Sequence, residues 1–198
     1  MAAAPLRILG VSGSLRAAST NTGMLRAAAL AAKELSVGGR KVEFAIANIS
    51  DLPLYNGDLD TDPAPAPVAR WRSEVEAADA FLFACPEYNM TITPVLKNAL
   101  DWASKPSNKW GGKAAGIVGA GGTFGTGRAQ LVLRQAGIFL NLHFVNNPEV
   151  CVQRFVIKPS PFDDATGDLI DETIKGRVVN MLARTAALAV ALEHMPKL

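Results

Sequence analysis

The run Leu6-Arg7-Ile8-Leu9-Gly10-Val11-Ser12 leads straight into Gly13-Ser14-Leu15-Arg16-Ala17-Ala18-Ser19-Thr20-Asn21-Thr22, and this junction decides the fold. A nearly unbroken apolar run reads as a strand buried on both faces, as in a parallel sheet. An Ala/Leu-rich helical pattern follows it, so the polar stretch between them is a strand-to-helix loop. Backbone N–H groups at a helix N-terminus point outward, and the helix dipole adds partial positive charge there. The hydroxyls of Ser14, Ser19, Thr20 and Thr22 and the guanidinium of Arg16 add donors suited to a phosphate.

The rest of the chain repeats the alternation. Asn21 to Leu35 reads as a helix with Met24, Leu25, Ala28 and Ala32 inward, stopped by Gly38-Gly39. Lys41–Ile46 reads as a strand nearer the sheet edge. A Pro-rich surface stretch runs from Leu52 to Pro67, followed by a short helix over Val68–Ala77. Ala80–Cys85 is a second fully apolar strand. Pro94 fits the first helical position with Thr93 as its cap, and Leu96, Ala99, Leu100 and Ala103 mark the buried side. Lys113–Gly119 is a further apolar strand that empties into a glycine-rich run, and a helix follows from Arg128 to about Ile138. Asn141–Val145 and Glu149–Phe155 are strand-like, Lys158–Asp168 is a polar loop, and Asp171 to about Glu193 is the last helix, with Ile174, Val178, Leu182 and Leu188 inward. Strands alternating with helices give an α/β three-layer sandwich. The expected form is a flavodoxin-like domain over residues 1–198, with a five-stranded parallel sheet in the order 2-1-3-4-5.

Composition narrows the function. The net charge of +2 and the lack of a Lys/Arg cluster give no footing for nucleic acid. Cys85 and Cys151 have neither metal-ligand nor disulfide-framework spacing, so no metal is expected, and reduced thiols in a cytoplasmic setting fit best. Cys85 ends a buried strand and reads as core packing. Met1-Ala2-Ala3-Ala4 is not read as a signal peptide, and no apolar run reaches spanning length. Trp102 and Trp110 are read equally as core or as subunit interface. Asp163, Asp164 and Asp168 lack the spacing of a calcium loop and read as solvated.

In a sheet of this order the ligand sits at the carboxyl ends of the strands, where the strand order switches. The loops after the third and fourth strands should then be binding loops too. The first of these is Pro86-Glu87-Tyr88-Asn89-Met90, which carries a carboxylate, an aromatic and an amide. The other includes Gly121-Gly122-Thr123-Phe124, whose missing side chains let a flat ligand approach the backbone. Phosphate donors, an aromatic platform and exposed amides suit a ligand with a phosphate at one end and a planar ring at the other, such as flavin mononucleotide (FMN). The nucleoside-triphosphate motif GxxxxGK(S/T) is absent. The dinucleotide motif GxGxxG is approached only at Gly119–Phe124, on the wrong strand.

The pattern GSxRxxSxN at Gly13–Asn21, with Pro86-Glu87-Tyr88-Asn89 and then Pro94-x-x-Lys97-Asn98-Ala99-Leu100-Asp101-Trp102, resembles the NAD(P)H-dependent FMN reductase family. Gly127-Arg128-Ala129-Gln130 and Leu142-His143-Phe144 extend the likeness, which is strongest to plant and algal NADPH:quinone oxidoreductases. The resemblance implies bound FMN, NADPH or NADH as co-substrate, a quinone as acceptor, and a homodimer or homotetramer. It places Ser14, Arg16, Ser19, Asn21 and Thr22 on the phosphate. Pro86, Glu87, Tyr88 and Asn89 would line the ribityl chain and one edge of the ring, and Gly121, Gly122, Thr123 and Phe124 would approach the ring from the other side. Thr126 stands where relatives often carry glycine. Hydride transfer to and from a flavin needs no protein acid or base, so binding residues and no catalytic residue are assigned. Two alternatives stay open: an electron carrier, disfavoured by the slight positive charge, and a reductase of azo, chromate or ferric acceptors.

Overall fold

The computed structural model describes residues 3–194; Met1 and Ala2, at the head of the segment not read as a signal peptide, and residues 195–198 lie outside the described part. The elements in chain order are β1 (Leu6–Ser12), α1 (Thr20–Ala32), β2 (Ser36–Val37), β3 (Arg40–Ile46), a single 3-10 turn (Gly57–Leu59), α2 (Ala66–Ala77), β4 (Ala80–Ala84), α3 (Pro94–Trp102), β5 (Ala114–Gly121), α4 (Gly127–Leu140), β6 (His143–Phe144), β7 (Val150–Gln153) and α5 (Glu172–Glu193). The central strands run parallel in the order β3-β1-β4-β5. Ile8 is flanked by Phe44 of β3 and Ala80 of β4, and Ala80 by Ala114 of β5.

The period-two pattern of each central strand splits the core into two layers. Leu6 and Ile8 of β1, with Ala80 and Leu82 of β4, face Met24 and Leu25 of α1 and Val178 and Leu182 of α5. Leu9, Val11, Phe81 and Phe83 face the opposite layer, where Trp71 of α2, Leu96 and Leu100 of α3 and Leu133 of α4 cover them. Each fully buried large apolar side chain contributes about 1.5–3 kcal/mol. Both faces of the sheet are therefore closed, and the functional surface is left to the loops at its ends. Trp102 and Trp110 are fully buried, which settles them as core; their indole N–H groups donate to the carbonyls of Pro53 and Leu100.

Two details differ from the sequence reading. The first helix ends at Ala32, and Gly38-Gly39 does not stop it. The two glycines, at φ +58° and +76°, form the turn of a β2–β3 hairpin, a conformation that side chains resist. The fifth strand is broken: β6 pairs with the start of β5 (Ala114↔His143) and β7 with its end (Val118↔Val150), so both pieces share one edge and the order 2-1-3-4-5 holds. Asp163 accepts bonds from the backbone of Ala165 and Thr166, and Asp168 pairs with Arg26, so these acids organise a loop against α1. Among the described residues, no helix is long and apolar enough to cross a membrane.

Candidate functional site

The carboxyl ends of β1, β4, β5 and β7 converge on a cleft of about 150 Å³. Its first wall is the start of α1. Ser19 caps that helix, its Oγ accepting from the N–H of Thr22 at 3.2 Å, and so keeps its own hydroxyl proton free to donate. Ser14, Arg16, Ser19 and Asn21 all line the cleft, as the sequence predicts, joined by Thr20 at the first helical position. Thr22 does not. Its hydroxyl bonds Ser12 Oγ at 2.7 Å, and it faces a neighbouring groove beside Ile46–Ser50.

Asn21 has a second role that its sequence position does not reveal. Its amide donates to the Ala120 carbonyl at 2.9 Å and its carbonyl accepts from the Ala120 N–H at 3.0 Å, all of it buried. This side chain clamps the start of α1 onto the end of β5. Only its backbone is left for an anion.

The second wall is the loop after β4. Pro86, Glu87 and Tyr88 line the cleft; Asn89 does not. Asn89 and Met90 both have positive φ and form a tight turn, closed by mutual backbone bonds between Tyr88 and Thr91 at 3.1 Å. The Glu87 carboxylate, nearly buried, accepts from the backbone N–H groups of Arg128 and Ala129 at 3.0 and 3.1 Å and from Arg128 Nε at 2.8 Å. A carboxylate on the first N–H groups of a helix satisfies orphan donors and complements the dipole. Glu87 thus caps α4, whose own cap residue, Thr126, makes no side-chain capping bond and sits at φ +82°. Glu87 lines the cleft and also ties its loop to the start of α4.

The third wall is the glycine loop after β5. Gly121 and Gly122 line the cleft, and a side chain built at Gly122 would meet no protein atom within 4 Å. Thr123 and Phe124 stand further out. The Thr123 carbonyl accepts from Gln153 Nε2, and the Phe124 ring lies 4.1 Å under the Arg128 guanidinium. Thr93 Oγ1 closes the set by donating to the Gly13 carbonyl at 2.7 Å. Cross-links of this kind hold a binding geometry in place before any ligand arrives.

Arg154 and Phe155 complete the cleft, and sequence reasoning missed both. The rule that flags the other loops applies to them, since they follow the carboxyl end of β7. The apolar look of Val150, Val152 and Phe155 extends the predicted strand over them and hides the start of the loop. A larger groove, about 890 Å³, runs between α1 and α5, lined by their surfaces with Asp168 and Leu169 and by none of the loops after β1, β4 and β5, so no cofactor is assigned to it.

Residues 6–156 match the family described as NADPH-dependent FMN reductase. The chain belongs to this family. It is 47% identical to an NAD(P)H:quinone oxidoreductase of Solanum tuberosum over 195 residues, 98% of each chain. Among solved structures it resembles FerB, a flavoenzyme NAD(P)H:(acceptor) oxidoreductase from Paracoccus denitrificans, with TM-score 0.79 and 29% identity over 94% of this chain and 98% of that one. A flavodoxin from the domain Archaea overlays with TM-score 0.61 at 12% identity, covering 96% and 100% of the two chains, a likeness of fold alone. The fold is therefore flavodoxin-like, as its strand order implies. The residues present fit the family's cofactor: hydroxyls and a helix N-terminus meet two arginines, and the buried Arg154 Nε has no hydrogen-bond partner among the described residues.

Proposed function

We propose that this chain is an FMN-dependent NAD(P)H:quinone oxidoreductase in which both substrates use one site in turn. The observation that carries this reading is the convergence of α1's N-terminus, Arg16, Tyr88, Gly121 and Gly122 on one cleft at the switch point of the sheet. Bound FMN supplies the hydride-accepting and hydride-donating ring; the chain binds and orients it. Ser14, Ser19, Thr20 and Arg16 hold the phosphate end, with the backbone N–H groups of α1's first turn. Pro86 and Tyr88 flank the chain and ring on one side, and the loop Gly121–Phe124 flanks them on the other. Asn21 and Glu87 act as positioning residues through Ala120 and α4. No side chain is required to take or give a proton in hydride transfer. Cys85 plays no part, because burial pushes its thiol up to about 12, far from the thiolate range at neutral pH.

One site serving two flat substrates gives ping-pong kinetics. Reciprocal plots of rate against NADPH or NADH at several benzoquinone concentrations are expected to be parallel; intersecting lines would remove the shared-site account.

The loops around the cleft carry exposed large apolar groups: Leu15, Met90, Phe124 and Phe155 are each 59–65% exposed. Apolar surface concentrated beside a ligand site marks an interface, which supports a homodimer or homotetramer with these loops against a second copy. Sedimentation at micromolar concentration is expected to give at least twice the 20.9 kDa chain mass, and a monomer would contradict it. The two free thiols support a cytosolic setting.

A further inference from the structure

We propose that Arg154 is a second cation on the cofactor's terminal phosphate and makes the site select FMN over riboflavin, which lacks that phosphate. The proposal rests on the FMN reading above and adds a residue to it that the binding-loop sequences do not contain.

Three observations carry it. Arg154 is fixed where the cleft needs it: its backbone N–H is shared between the carbonyls of Gly121 at 3.1 Å and Val152 at 3.0 Å, at the end of β7. Its guanidinium lies 4.7 Å over the Phe155 ring, and both residues line the cleft with Ser14, Arg16 and Ser19. The side chain is only 17% exposed, yet its Nε is buried without a hydrogen-bond partner among the described residues. The carboxylate beside it, Asp164, is 84% exposed and 3.8 Å away, beyond hydrogen-bond reach. Arg72 and Arg128, by contrast, meet Asp60 and Glu87 at 2.7 Å, and Arg70, whose Nε is likewise buried without a partner, still bonds Asp51 at 2.8 Å. A cationic donor withdrawn from water with no hydrogen-bonded acceptor is costly unless an anion completes it.

Charge balance points the same way. A phosphate monoester carries about −1.5 to −2 near pH 7. Arg16 offers +1 and the N-terminus of α1 about +0.5, which leaves a dianion short of full compensation. Arg154 more than covers the roughly half charge left on the dianion. Ser14, Arg16, Ser19 and Arg154 line the same cleft of about 150 Å³. Phosphate oxygens are also the acceptors that a planar guanidinium pairs with best.

The test is a fluorescence-quenching titration of the flavin-free full chain with FMN and with riboflavin, comparing the parent, Arg154→Gln and Arg154→Lys. Arg154→Gln is expected to lose about 10- to 100-fold in FMN affinity. Its riboflavin affinity should stay at the parent value, which also reports an intact cleft. Arg154→Lys is expected to recover part of the loss. The proposal is overturned if Arg154→Gln binds FMN as tightly as the parent, or if FMN and riboflavin affinities fall together. It is equally overturned if FMN affinity holds while the NADPH-to-NADH ratio of KM shifts, which would place Arg154 on the nicotinamide substrate. In each of those outcomes the FMN reading stands. A parent chain that takes up neither flavin would remove that reading and this proposal with it.

Discussion

Asn21→Ala unfolds well below the parent chain and binds FMN more weakly. The side chain makes paired bonds to both polar groups of the Ala120 peptide unit, and both residues are buried. Removing it leaves a backbone donor and acceptor unpaired, each costing about 1–3 kcal/mol. A combined loss of about 2–6 kcal/mol lowers Tm by roughly 4–24 °C in a chain of this length. The same contact joins α1's N-terminus to the glycine loop, so two walls of the cleft separate together. Thermal unfolding and FMN titration of one sample decide the matter. A variant that loses FMN affinity with its Tm unchanged would mean that Asn21 holds the ligand directly.

Glu87→Ala is the second large effect, and its origin is separable. The carboxylate bonds two backbone N–H groups of α4 and the Arg128 side chain. Arg128 is 38% exposed, so solvent screens the ion pair and limits it to below about 1 kcal/mol. The helix-capping bonds satisfy backbone N–H groups that the cap residue's own side chain does not reach, and account for about 1.5–3 kcal/mol. Chemical denaturation is therefore expected to give a large loss for Glu87→Ala and a loss below about 1 kcal/mol for Arg128→Ala. Equal losses in the two variants would place the energy in the ion pair and not in the cap.

The fold was legible because its deciding elements carry strong local signals. β1, β4 and β5 are apolar on both faces, Thr93-Pro94 marks a helix start without ambiguity, and the loop after β1 combines hydroxyls, an arginine and a helix N-terminus. What stayed hidden has physical causes. Ser36–Val37 is too short to show a strand period, so Gly38-Gly39 read as a helix stop when it is a hairpin turn. Arg154 follows an apolar run whose end the sequence does not mark. Side-chain partners are less legible than positions. Asn21 and Glu87 line the cleft, yet their polar atoms turn to backbone groups on other loops, and no spacing rule encodes a contact across 99 or 41 residues. Thr126 keeps a left-handed φ, with its hydroxyl in contact with Gln130. A residue's preferred conformation was overridden there by the packing around it.

Loops after β1, β4 and β5, already tied to one another, are expected to grip FMN through its phosphate. The most direct test is quenching of FMN fluorescence by the flavin-free chain, in buffer and again with excess inorganic phosphate. The expected result is saturable binding of one FMN per chain, weakened by phosphate in competition for the start of α1. A chain that leaves FMN fluorescence untouched, or binds it with no response to phosphate, contradicts the account.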